Sequence, residues 1–233
     1  MMGSLVTLYE WNTPCSGYQP ESVGNWHIKR RDFPAGSTLT VEAMSMDAVL
    51  FPKTVTFTIL REGERDKNDT KSVWMSDTPM EYFKAWELVA RSHGNVLVGG
   101  LGLGLFIHLL CSRKDIGKIT VIEKSPEVIQ LVSKYLPKDI EVICGDFLTE
   151  IYHFVDNERE FDTVIADMWK DDTEEELISD CRGAIDDCYP CATQLFWAVQ
   201  GEIDDEVSRY AIHSLKGEEL NRFEQSAMDI ARG

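Results

Sequence analysis

A chain of 233 residues, 43% hydrophobic and 27% charged, can bury a full core and suits one large domain or a domain with an appendage. Its 40 Asp+Glu against 23 Lys+Arg leave a net charge of −17, and residues 95–233, with 28 acids and 13 bases, carry −15 of it. Such acidity argues against a nucleic-acid partner, which calls for a basic footprint, and favours neutral or cationic ones. With no run of about 18 apolar residues to span a bilayer and no secretory-type start, a cytoplasmic protein is expected.

Residues 1–33 read as irregular, with Trp11, Pro14, Gly17, Tyr18, Pro20, Gly24 and Trp26 spaced as in loops with aromatic anchors. From Ser37 to Leu60 β-favouring residues accumulate. "TVTFTIL" (54–60) alternates as a half-buried strand should, a turn follows at "REGERDKNDTK", and "SVWM" (72–75) is the return strand of a hairpin. Residues 1–75 are therefore expected to form a β-rich N-terminal segment. "SDTPMEYFKAWELVARSHG" predicts a helix capped by Ser76 or Asp77, with Pro79 in its first turn and Gly94 at its end.

Beyond it strands and helices alternate. "NVLVGG", "KITVIEK", "IEVICGD", "FDTVIADMW" and "ATQLFWAV" read as strands, interleaved with helices at "LGLFIHLLCSR", "SPEVIQLVSKYL", "FLTEIYHFV" and from about Asp172. Five strands alternating with helices predict an α/β fold, a Rossmann-like open and mostly parallel sheet covered on both faces, over residues 76–233. The final segment from Asp204 reads as helical. The six cysteines do not form a disulfide framework, and "CYPC" (188–191) is an incomplete zinc site, so no metal is expected. His108, amid "LFIHLLC", reads as a satisfied core histidine.

In an open α/β sheet a ligand sits beyond the carboxyl ends of the strands. The first strand ends in glycines, Gly99, Gly100, Gly102 and Gly104, and the next three end in acids, Glu123, Asp146 and Asp167. Glycines let the backbone approach a ligand closely, and Glu123, 23 residues after Gly100, is placed to accept from ribose hydroxyls. Asp146 could accept from an adenine amino group, while Asp167 and Trp169 flank the reacting end. For Asp146 and Asp167, N-capping of the following helix is the competing role. The dinucleotide pattern G-x-G-x-x-G would need glycine where Leu105 stands, which disfavours NAD.

"VLVGGLGLGL", "VIEKSPEVI", "VICGDF" and "FDTVIADMW" resemble motifs I, post-I, II and IV of class I S-adenosylmethionine-dependent methyltransferases, over roughly residues 72–200. The helix opened by "VWMSDTPMEY" resembles the spermidine synthase branch of that superfamily. The resemblance implies S-adenosyl-L-methionine as cofactor and an unidentified small-molecule or protein acceptor. It puts Gly100, Gly102 and Gly104 beside the methionine part, Glu123 on the ribose hydroxyls, and Asp146 with Phe147 around adenine, with Gly99 and Lys124 also among the cofactor-binding residues. Asp167, Met168 and Trp169 then face the sulfur and the acceptor, with Asp167 the candidate base and Trp169 either a cover or a core residue.

The sequence departs from those families at three places. Val98 replaces the acid that often opens motif I, which leaves the donor's amino group to Asp77 or Glu81. Leu103 replaces the Asp of the aminopropyltransferase loop. The Asp-Pro-Pro-Tyr form of motif IV is absent. An aminopropyltransferase and a catalytically silent nucleoside-binding or scaffold module stand as alternatives to the methyltransferase.

Overall fold

A computed structural model describes residues 4–43, 46–63, 73–170 and 174–197. Strands β8 (Gly94–Gly99), β9 (Ile116–Glu123), β10 (Glu141–Cys144), β11 (Thr163–Ala166) and β12 (Thr193–Phe196) form one parallel sheet in the order β10-β9-β8-β11-β12. From β8 the chain builds outward to β10, then returns to β8's other side for β11, so the order reverses between these two strands. The crevice beyond their carboxyl ends is where such a fold receives ligands.

The apolar runs become strands because both faces are covered. Val96, Val98, Val121 and Ile165 face one core, shared with helices α1 (Pro79–Arg91), α2 (Leu105–Cys111) and α3 (Pro126–Val132). Leu97, Ile122 and Val164 alternate to a second core under α4 (Phe147–Asp156) and α5 (Glu175–Cys188). This is the Rossmann-like α/β architecture expected from the alternation. Among the described residues no helix is long and apolar enough to cross a membrane, and no three potential ligand side chains gather as a metal cluster.

Ahead of this sheet lie two smaller ones. β1 (Ser4–Thr7), β5 (Met46–Phe51) and β4 (Ser37–Ala43) pair in that order, and β2 (Glu21–Val23), β3 (Trp26–Phe33), β6 (Val55–Glu62) and β7 (Val73–Ser76) form an antiparallel sheet. The hairpin expected from "TVTFTIL" and "SVWM" is β6–β7. Residues 21–33, read as irregular, are instead β2 and β3. Lys29, Arg30 and Arg31 hide the strand pattern, and the strand exists because β3 pairs with β6 along its whole length, from Trp26↔Glu62 to Phe33↔Val55. Cys15, Tyr18, Ile28, Leu60 and Met75 belong to the same core as Val96 and Leu103, so the apolar interior continues across residue 75.

Two helix ends differ from expectation. Thr78 occupies the N-cap of α1, and Asp77 is drawn away to other partners. The helix stops at Arg91 with Ser92 as C-cap, while Gly94, at φ 61°, opens β8. The helix expected from Asp204 lies outside the described residues, as does the residue Asp172 where α5 was expected to start.

Candidate functional site

The site is assembled from the loop after β8 and the residues ending β9, β10 and β11. Gly99 closes β8, and a side chain there would press on Met168 Sδ at 2.7 Å and Phe147 Cδ2 at 2.8 Å. Gly100 carries the sharpest requirement. Its φ of 91° is strained for any other residue, and a Cβ would collide with the Asp167 carbonyl. The loops after β8 and β11 thereby touch backbone to backbone, and the Asp167 N–H donates to Gly99 O at 2.9 Å. Gly102 closes on the Met75 thioether, and Gly104, left-handed at φ 74°, is the N-cap of α2.

Glu123 reaches across from β9. Its Oε2 accepts the Leu101 N–H at 2.9 Å and its Oε1 accepts the Ser125 N–H at 2.7 Å. One carboxylate therefore fixes both the glycine loop and the turn leading into α3. Asp167 is half-buried, and burial together with the negative Glu123 pushes its carboxyl up to about 7. Glu81, on the first turn of α1, is pushed up to about 8 by burial and then by Asp167, against opposing help from Lys84 and the Ser76 backbone. Helix α1 thus brings a third acid to the pair at the strand ends. Carboxyls poised near neutrality can hold or take a proton at physiological pH, which ordinary carboxylates do poorly.

The remaining expected residues are placed as follows. Asp146 is the N-cap of α4, accepting from Leu148 N–H at 3.1 Å, and its other oxygen accepts from Lys124 Nζ at 2.8 Å. Lys124 holds the Asp146 carboxyl below its usual range. Both side chains are thereby engaged with each other. Phe147 and Met168 pack against Gly99, at the point where the loops after β8, β10 and β11 meet. Among the described residues Asp167 caps no helix: α5 spans Glu175–Cys188 with Glu174 as its N-cap.

Trp169 is 3% exposed, donates its indole N–H to Trp197 O at 2.9 Å and stacks with Phe196, so of its two expected roles it fills the core one. Asp77 is wholly buried. Its Oδ2 accepts from the Thr13 hydroxyl and its Oδ1 from the Thr58 N–H, both at 2.6 Å, and it ties the N-terminal turn to β6 rather than reaching the crevice. His108 is half-buried and hydrogen-bonded to Tyr18, a satisfied histidine.

Three residues hold the loop in a way the sequence does not announce. Met75 Sδ accepts the Leu103 N–H at 3.2 Å, while the Tyr18 hydroxyl and the Cys15 thiol both donate to Leu103 O, at 2.9 and 3.7 Å. Sequence separations of 28 to 88 residues leave no local pattern to read.

No protein-family model and no curated protein sequence matches the chain. Solved structures to which it is similar include a precorrin 8W decarboxylase from Methanobacterium thermoautotrophicum, at 19% identity and TM-score 0.36, covering 55% of this chain and 64% of that one. A spermidine synthase from Thermotoga maritima has 18% identity and TM-score 0.35, over 55% of this chain and 48% of that one. A Streptococcus mutans protein ascribed to the SAM-dependent methyltransferases has 9% identity and TM-score 0.41, over 70% of this chain and 44% of that one. The match spans less than two thirds of each of these proteins.

Proposed function

We propose that the chain binds S-adenosylmethionine in the crevice beyond β8, β9 and β11 and transfers its methyl group to a neutral or cationic acceptor. The observation that supports this reading is the posture of Glu123, locked to the glycine loop through Leu101 and to the α3 turn through Ser125. A carboxylate has about four lone-pair sites, so two backbone bonds leave others for the hydroxyl pair of a ribose. Charge fits as well: a sulfonium or ammonium favours the ionised forms of Glu81 and Asp167, whose raised carboxyls can give up their protons beside Glu123 when a cation arrives.

In this reading Gly99 and Gly100 admit the methionine part, Glu123 holds the ribose and Phe147 flanks the adenine. Asp146 acts through the orientation of α4 and its pairing with Lys124. When bound, the donor supplies an electrophilic methyl on sulfur. The chain supplies in-line positioning and, at Asp167, a carboxylate that takes the acceptor's proton. Glu81 faces the donor's amino group, the role left open by Val98.

A second reading, aminopropyl transfer from the decarboxylated donor, is favoured by the Glu81–Asp167 pair, which repels a donor carboxylate. Calorimetry with S-adenosylmethionine, S-adenosylhomocysteine and the decarboxylated donor tests both. Binding of the first two that is lost in Glu123→Ala supports the methyltransferase, and binding of only the decarboxylated donor supports the second reading. Binding to none of the three sinks both. A silent module would bind nucleoside and turn over neither donor.

A further inference from the structure

The N-terminal turn and strand β7 meet the glycine loop at one residue, Leu103, and between them hold both its backbone groups. Leu103 is fully buried. Its N–H donates to Met75 Sδ of β7, and its carbonyl accepts from the Tyr18 hydroxyl and the Cys15 thiol. None of these three partners belongs to the parallel sheet or its helices. Glu123 holds Leu101 from β9, so the loop is gripped at Leu101 by the sheet and at Leu103 by the segment preceding it.

Tyr18 is itself held in place. Its ring stacks on Tyr135 with centroids 3.9 Å apart, and its hydroxyl lies 3.0 Å from His108 Nε2 on α2. With the Tyr18 proton directed at Leu103, the hydroxyl oxygen is free to accept the Nε2–H of a neutral His108. The turn that carries Cys15 is anchored by the Thr58 hydroxyl on Cys15 O at 2.9 Å, by Arg30 on Ser16 O, and by the Thr13–Asp77 bond. The chain of contacts runs without a break from β3, β6 and α1's approach to the loop between β8 and α2.

We propose that Tyr18 is a positioning residue for the nucleoside loop, acting with Cys15 and Met75 to fix Leu103 and thereby to set how tightly residues 99–105 receive an adenosyl ligand. This rests on the nucleoside reading of the site, but the grip itself exists in the free protein. A preformed loop binds without the cost of ordering it, so loosening the grip raises the apparent Kd as the inverse of the fraction of time the loop is in place.

The test uses the full chain with Tyr18→Phe, which keeps the ring stack and removes one hydroxyl, and Met75→Leu, which keeps the volume and removes the sulfur acceptor. Amide exchange is followed in the free protein, and S-adenosylhomocysteine affinity by calorimetry. In each variant, exchange across residues 101–105 is expected to speed up about tenfold while β8 and β9 keep their protection, with a Kd about twofold weaker as the loop comes to be misplaced about half the time. Unchanged loop exchange overturns the proposal. So does an equal acceleration throughout the sheet, which marks a structural role alone, and so does a loosened loop with unaltered affinity. If the unmodified protein binds no S-adenosylhomocysteine, the nucleoside reading falls together with the ligand half of the proposal, while exchange still decides whether Tyr18 holds the loop.

Discussion

Replacing Asp167 by Asn should stabilise the fold, and more so as pH rises. The carboxyl is raised from 3.8 to about 7 in the folded chain, so between those values the folded state binds more protons than the unfolded one. Stability contributed by the protonated form is present below 3.8 and is lost as pH climbs through 7. A shift of roughly 3 units at 1.36 kcal/mol each sets an upper limit of about 4 kcal/mol. Relaxation and the group's partial contact with solvent bring this to about 2 kcal/mol. For a chain of this size that is about 4–8 °C in Tm. The backbone bond from Asp167 N–H to Gly99 O is untouched by the exchange. Thermal unfolding of both proteins by circular dichroism from pH 4.5 to 8 is the assay. The Asn variant should melt within a degree or two of the parent at pH 4.5 and clearly above it at pH 8. An offset that is the same at both ends, or a variant that melts lower at pH 8, refutes the picture of a destabilising acid kept at the crevice.

Binding of a cationic nucleoside should release protons from Asp167 and Glu81, about one per ligand near pH 7, because a positive neighbour draws both carboxyls back toward their ordinary range. Calorimetry in two buffers of different ionisation enthalpy reads this number directly, and zero release counts against these two acids as the cation site. Gly100→Ala should cost about 2 kcal/mol or more in urea unfolding, since its φ of 91° and the facing Asp167 carbonyl leave no room for a methyl. A near-neutral effect would mean that the two loops are not in contact. Glu141 is held down to about 2 by hydrogen bonds from Arg159 and Lys118, so its contribution is present above 4.5 and fades as pH falls toward 2. With its side chain 35% exposed, screening limits this to about 1 kcal/mol, and Glu141→Gln should narrow the stability gap between pH 6 and pH 3 by a little over half of that.

The parallel sheet was legible because burial on both faces writes itself as apolar runs, "NVLVGG" for β8 and "FDTVIADMW" for β11, between helix caps such as Ser125 and Asp146. Strand β3 was not, because Lys29 and Arg31 stay exposed and its pairing partner lies some thirty residues on. The strand-end acids could be located from spacing alone, but their states could not. Asp146 and Asp167 look alike in sequence, and only the late start of α5 frees one from the capping bond that engages the other. Glu81 was noted as a possible amino-group contact without any sign that it shares its surroundings with Asp167. A single carbonyl such as that of Leu103 leaves no trace in the residues that bind it.

Synthesis order gives the Tyr18–Leu103 contact a further consequence. At about 5–20 residues per second, Tyr18 leaves the ribosome several seconds before Leu103 and His108 exist to receive it. Through that interval the ring that later stacks on Tyr135, 117 positions downstream, lacks that stacking partner. Contacts of such sequence separation slow folding and prolong the exposure of apolar surface. The turn that carries Tyr18 must therefore wait for residues 103–135, and the glycine loop can settle only when this earlier-made partner is finally matched.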